Sequence, residues 1–138
     1  MTGKIYVDMV GDLFHAGHVD LLKQAKALGD WLMVGVLSDE TAIGYKRQPV
    51  MTLAERVAVV ESCRYVDEVF PDAPNVVTTS FLDEHNIDLV VHGDDLSKEA
   101  IAAVYADVER TGKLHLIKQK ADISTTKLLQ RIEQRHRD

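Results

Sequence analysis

Val10–Leu22, VGDLFHAGHVDLL, decides how the chain is read. It starts where a short apolar run, Ile5-Tyr6-Val7, leaves off, and it ends inside an amphipathic helical pattern. It is therefore a strand-to-helix junction, and it holds Asp12, His15, Gly17 and His18 within seven residues. A helix N-terminus offers unpaired backbone N–H groups to an anion. Two imidazoles at i, i+3 project from one side of the first turn. A glycine between them lets a ligand approach the backbone. The stretch reads as a nucleotide phosphate site. Two other readings are weighed against it: a metal pair, and a histidine that merely caps or packs. A zinc site needs about three or four protein ligands, and the single cysteine, Cys63, is far away in sequence.

Outward from this junction, strand-like and helix-like patterns alternate. Lys4–Val10 predicts a buried strand. Val19–Leu28 predicts a helix with Val19, Leu21, Leu22, Ala25 and Leu28 on its apolar stripe, closed by Gly29. Trp31–Leu37 (WLMVGVL) predicts a central parallel strand covered on both faces. Ser38–Met51 is expected to be irregular. Thr52 and Glu55 have capping-box spacing for a helix over Leu53–Cys63. Val66–Phe70 is expected as the third strand, and Pro71–Asn75 (PDAPN) as a turn. A helix over Thr79–Asn86 and a strand over Ile87–His92 follow. Ser97 then caps one helix carrying Ile101, Val104, Tyr105 and Val108 and ending at Gly112. Leu114–Ile117 is the fifth strand. A last helix begins in Ile123–Thr126, and residues 130–138 form a polar tail that frays.

Such alternation predicts right-handed crossovers and an α/β fold. The expected architecture is a Rossmann-like three-layer αβα domain over residues 1–138, with a five-stranded, mostly parallel sheet. Ligands on such sheets bind beyond the carboxyl ends of the strands. The segments that reach that edge are 11–18, 39–51, 93–96 and 118–126, and they hold the polar residues of interest.

Composition narrows the class. At 138 residues, 46% hydrophobic and 28% charged, the chain suits one globular domain. The net charge of −6 and the lack of a basic block argue against a nucleic-acid partner. A local site can still be positive on an acidic protein. A lone cysteine suggests a reducing compartment, with Cys63 a buried small hydrophobe. No signal segment and no apolar run of roughly 20 residues is present, so a cytoplasmic protein without a membrane span is expected.

Other residues are read the same way. Lys46 and Arg47 lie in a loop at the binding edge, where solvated charge and phosphate contact are both open. Arg56, on the helix after Thr52, is expected to reach back into the crevice. His92-Gly93-Asp94-Asp95 after a buried strand can offer carboxylates and backbone to a ribose or base. Ser124-Thr125-Thr126 opens a helix, so one hydroxyl caps it; three in a row exceed that need and suit a phosphate.

Together these residues resemble the cytidylyltransferase family within the HxGH nucleotidyltransferases. The resemblance rests on D-x-x-H-x-G-H at Asp12–His18, Lys46…Pro49…Glu55-Arg56, Val66-Asp67-Glu68-Val69, His92–Asp95 and Ile123–Thr126. It implies catalytic roles for His15, His18, Lys46 and Arg56. It implies a nucleotide site at Val10, Gly11, Asp12, Gly17, His92, Gly93, Asp94, Asp95, Ile123, Ser124, Thr125 and Thr126. Asp12, Lys46, Asp67, Tyr105 and Lys120 are the candidates for holding an acceptor. The family usually works as a homodimer on CTP, with Mg²⁺ carried mainly by the nucleotide phosphates.

The chain departs from the family pattern twice. The first motif, G-x-(aromatic)-D, reads Met9-Val10-Gly11-Asp12 here. R-T-E-G-I-S-T-T reads Gln119–Thr126, without its arginine; Lys118 and Lys120 are the candidate substitutes, as point charges lacking bidentate geometry. The helix-bearing segment Leu96–Leu114 resembles the branch acting on phosphoethanolamine or phosphocholine. Glycerol 3-phosphate-like and phosphonate acceptors stay open. The alternatives are an adenylyltransferase using ATP and a catalytically idle nucleotide-binding module. The implied chemistry is attack by an acceptor phosphate oxygen on the α-phosphorus of CTP, with release of pyrophosphate.

Overall fold

The computed structural model describes residues 3–45 and 47–137. Lys46 lies outside them. Five strands, β1 (Lys4–Met9), β2 (Trp31–Leu37), β3 (Glu68–Ala73), β4 (Leu89–Gly93) and β5 (Leu114–Ile117), form one all-parallel sheet in the order β3-β2-β1-β4-β5. The α/β expectation holds, and the sheet is parallel throughout. Strand order reverses between β1 and β4, which places the binding crevice outside the carboxyl ends of those two strands.

Alternation along the strands sorts side chains to two faces. Ile5 and Val7 of β1 and Leu32, Val34 and Val36 of β2 pack with α1 (Ala16–Lys26) and α3 (Leu53–Glu61), through Leu22, Ala25 and Val60. Tyr6 and Met33 face the other side. There they meet α4 (Thr79–Glu84), α5 (Lys98–Val104) and α6 (Ala106–Arg110), through Phe81, Leu82, Ile101 and Val108. Cys63 is partly buried against the first of these clusters. Gly35 is glycine because a Cβ there would lie 2.1 Å from the Tyr6 hydroxyl and 2.8 Å from Ala73 Cβ. Asp8 follows Tyr6 on the same face, one step nearer the carboxyl edge.

Four local expectations are corrected. Ser38–Met51 contains a helix, α2 (Asp39–Tyr45); the Ser38 hydroxyl accepts Thr41 N–H at 3.1 Å, and Asp39 and Glu40 suit its first turn. Pro71 belongs to β3, opposite Val36. A proline is tolerated there because β3 is an edge strand, and the chain bends only at Asp72, with φ of 55°. The helix expected to run from Ser97 to Gly112 breaks at Tyr105, where φ is −125° and ψ 21°. The Val104 carbonyl accepts Val77 N–H at 2.9 Å, and the Tyr105 hydroxyl is drawn to Asp8. The last helix, α7 (Thr125–Arg137), runs through the tail expected to fray, with Glu133 and Arg137 paired at i, i+4. Among the described residues, no helix is long and apolar enough to cross a membrane.

Candidate active site

The start of α1 is built by the two histidines themselves. His15 is the N-cap, in extended backbone, and its Nδ1 accepts Gly17 N–H at 3.0 Å. His18 closes the reciprocal bond, its Nδ1 accepting His15 N–H at 3.1 Å. This is a capping box made of imidazoles where Ser/Thr and Glu/Gln usually serve. Because each Nδ1 accepts, each neutral ring carries its proton on Nε2. The cap thus fixes two donors of one tautomer side by side, with ring centroids 3.9 Å apart. Phe14 stacks on His18 at 5.1 Å. Burial holds the His15 pKa below its ordinary value, which favours the neutral, capping form.

Gly17 has a different purpose from the one expected. A Cβ on it would stand 2.8 Å from His15 Cε1, 3.0 Å from its Nδ1 and 3.0 Å from the Ile123 carbonyl. The close approach is made by the cap and by the segment before α7. Gly17→Ala is expected to cut turnover at least tenfold, since 1 Å of misplacement in such a site costs up to about 100-fold. Thermal unfolding measured alongside turnover should show the displaced cap as well, a loss of about 1 kcal/mol.

Gly11 settles the backbone path after β1. It sits at φ +71°, and a Cβ there would press on Val60 at 3.2 Å. The departure from the family pattern at Met9 and Gly11 still leaves a glycine where the turn requires left-handed backbone. Asp12 then ties three loops together. Its carboxylate accepts Val50 N–H at 2.9 Å and Met51 N–H at 3.0 Å, and its carbonyl accepts the Thr125 hydroxyl at 2.9 Å.

These loops enclose a cleft of about 540 Å³ over the carboxyl ends of the strands, the size of an ordinary small-molecule site. Val10, Gly11, Asp12, His18, His92, Asp95, Tyr105 and Thr125 line it. A family model described as cytidylyltransferase-like matches residues 11–131. The chain belongs to the cytidylyltransferase-like family.

Relatives of this family extend the comparison. An ethanolamine-phosphate cytidylyltransferase of Dictyostelium discoideum is 42% identical over 130 residues, covering 94% of this chain and 36% of that protein. Choline-phosphate cytidylyltransferase 2 of Arabidopsis thaliana is 40% identical over 134 residues, covering 94% of this chain and 44% of that protein. The chain thus spans less than half the length of these curated relatives. The crystal structure of a lipopolysaccharide core biosynthesis protein from Thermoplasma volcanium shares the fold. Its TM-score is 0.71 at 25% identity, over 86% of this chain and 98% of that one.

Other cytidylyltransferase-family positions fall elsewhere than expected. Arg56 is 0% exposed and is not among the residues that line this cleft. Its Nη1 donates to the Val10 and Leu37 carbonyls at 2.7 Å each, its Nε to Met51 O at 3.3 Å, and its Nη2 pairs with Asp39 at 2.5 Å. All three of its nitrogens bond to the protein, so Arg56 pins the ends of β1 and β2. Asp67 lies at the opposite, amino-terminal edge of the sheet, accepting Leu32 N–H at 2.8 Å and the Lys26 ammonium at 2.5 Å. Lys120 donates its N–H to Asp20 at 3.2 Å on the flank of α1, outside the cleft lining. Ser124 caps α7 through Lys127 N–H at 3.1 Å. A Cβ at Gly93 would stand 2.9 Å from the end of the Gln119 side chain, and Asp94 N–H is spent on the Ile117 carbonyl at 2.9 Å.

Two cleft residues escaped the sequence reading. Asp8 is 6% exposed, takes the Tyr105 hydroxyl's hydrogen bond, and lies in the cleft wall with His92. Burial pushes its carboxyl above the usual range, while the Tyr105 bond and the charge of His92 pull it back. The signal was a carboxylate inside an otherwise apolar strand. Asn75 completes that end of the cleft from the segment after β3.

Proposed function

We propose that this chain transfers CMP from CTP to a small phosphorylated amino alcohol, of the phosphoethanolamine type, and releases pyrophosphate. The observation that carries the acceptor class is Asp8, a desolvated carboxylate in the cleft held by Tyr105. A buried carboxylate is costly until a cation pairs with it, and the acceptor's ammonium would be that cation. Tyr105 then serves mainly by positioning Asp8. The names of the ethanolamine- and choline-phosphate relatives agree with this reading.

Phosphate monoesters are largely dianionic at neutral pH, their second pKa being about 6. The nucleophile therefore arrives ionised and no base has to be supplied. What remains is to align two anions and to stabilise charge as the bond to the leaving pyrophosphate breaks. The Nε2–H groups of His15 and His18 would be the donors for that charge. Lys46 bridging the two phosphates rests on the family resemblance, as does a homodimer.

Magnesium carried by the nucleotide phosphates rests on the family resemblance. Among the described residues, no group of three or more His, Cys, Asp or Glu side chains is placed to hold a metal, and Asp12 is committed to two backbone amides. Bound with the triphosphate, the ion would neutralise part of its charge.

Pyrophosphate release with CTP and with ATP, across amino-alcohol, polyol and phosphonate acceptors, tests the proposal. Turnover with CTP and phosphoethanolamine is expected to lead. Preference for ATP, or binding of CTP without turnover of any acceptor, would overturn it. Asp8→Asn should raise KM for the amino-alcohol phosphate by about 10–100-fold, the range for loss of a charged hydrogen-bond partner. CTP affinity should hold.

A further inference from the structure

The position where the family resemblance puts an arginine holds Gln119, and its side chain does line the cleft. A carboxamide brings no charge. Yet the cleft walls carry Asp8, Asp12 and Asp95, and a triphosphate brings several negative charges of its own. Beside Lys46, which lies outside the described residues, a guanidinium has to come from another place. Lys118 and Lys120 do not provide it: the Lys118 carbonyl accepts Gln24 Nε2 at 3.2 Å, Lys120 N–H goes to Asp20 at 3.2 Å, and neither residue lines the cleft. The backbone around Gln119 is fastened to the flank of α1.

Arg47 is the one arginine or lysine among the described residues that line the cleft. It comes from the loop after α2, half-buried, and its Nη2 donates to the Thr126 hydroxyl at 3.0 Å. That contact crosses from the loop after β2 to the first turn of α7, where helix amides and the Thr125 and Thr126 hydroxyls gather. We propose that Arg47 supplies from this second loop the guanidinium missing at Gln119, and that it clamps the nucleotide's triphosphate against the start of α7. A guanidinium can take two phosphate oxygens at once. Its bond to Thr126 holds it in place before the ligand arrives. Thr126 oxygen accepts from Arg47, so its own proton stays available to a phosphate oxygen. The proposal rests on the nucleotidyl-transfer reading, but it concerns the triphosphate and is indifferent to the base.

The test compares the full-length parent, Arg47→Ala, Arg47→Lys and the double variant Arg47→Ala/Gln119→Arg. Affinities for CTP, ATP and inorganic tripolyphosphate are measured by calorimetry, with thermal unfolding alongside. Arg47→Ala is expected to lose about 10–100-fold in affinity for CTP and for tripolyphosphate, the range for one charge-assisted contact, with Tm unchanged. Arg47→Lys should recover only part. Returning a guanidinium at position 119 should recover at least tenfold in the double variant, which a purely structural role for Arg47 would not permit. Affinity within twofold of the parent in Arg47→Ala, or no recovery in the double variant, overturns the proposal. A parent that binds no triphosphate overturns it as well. A parent that prefers ATP overturns the cytidine reading alone, and the Arg47 effect is then expected on ATP.

Discussion

His18→Ala is expected to lower turnover by about 10²–10³-fold, the usual loss when one preorganised donor to developing charge is removed. The geometry allows a cleaner version of the experiment. His18 has two roles to separate: its Nδ1 accepts the His15 N–H, and its Nε2–H is the donor proposed for phosphate. A glutamine is a standard third residue of a capping box. His18→Gln should therefore keep the cap and its share of stability, typically about 1 kcal/mol, while losing the imidazole. Turnover falling in both variants, with Tm falling only in His18→Ala, is the expected pattern. Turnover near that of the parent in His18→Gln would remove the histidine from the chemistry.

The same cap carries a pH dependence. The His15 Nδ1 can accept the Gly17 N–H only while the ring is neutral. Burial lowers its folded-state pKa below the ordinary 6.5. A depressed folded pKa means that this contribution is fully present above about pH 6.5 and is lost as pH falls through the lower, folded value. An NMR titration of the ring should therefore show a midpoint below the ordinary one.

How much of this was legible in the sequence depends on what each residue interacts with. Strand and helix alternation was legible because period and composition are local, and WLMVGVL gave β2 its bounds without error. The His15–His18 pair was legible as the start of a helix because spacing at a helix start is local too. What spacing could not show is that the rings cap the helix with Nδ1, which depends on the extended backbone at His15. The break at Tyr105 was invisible because the apolar stripe continues through it; the hydroxyl's partner, Asp8, is 97 residues away. Asp67 was misplaced for a related reason. Its motif sits beside β3, and sequence does not say which end of the strand a neighbouring residue occupies. Gln119 was read as a loss of charge, while Arg47, from another loop, stands in the same cleft.

Arg56 is the sharpest case, and it yields the other large prediction. As an arginine on a helix beside the binding loops it looked like a ligand for phosphate. Its surroundings are instead three backbone carbonyls and Asp39, all reached from a fully buried position. Those carbonyls belong to Val10, Leu37 and Met51, the points where β1 and β2 leave the sheet and where α3 is about to begin. Folding brings them together, and each then needs a donor out of reach of water. Arg56→Met keeps most of the volume and removes every donor. Orphaned buried acceptors cost about 1–3 kcal/mol each and do not simply add, so a loss of about 3–5 kcal/mol is expected. Total stability of a domain this size is about 5–15 kcal/mol, so Tm should fall by roughly 10–20 °C. Arg56→Lys, with one ammonium for a spread of acceptors, should restore only part of it. If Arg56 were a substrate ligand, both variants would unfold at the parent's temperature and lose nucleotide affinity instead. Thermal unfolding without ligand separates the two, because only a pin between the strand ends stabilises an empty cleft.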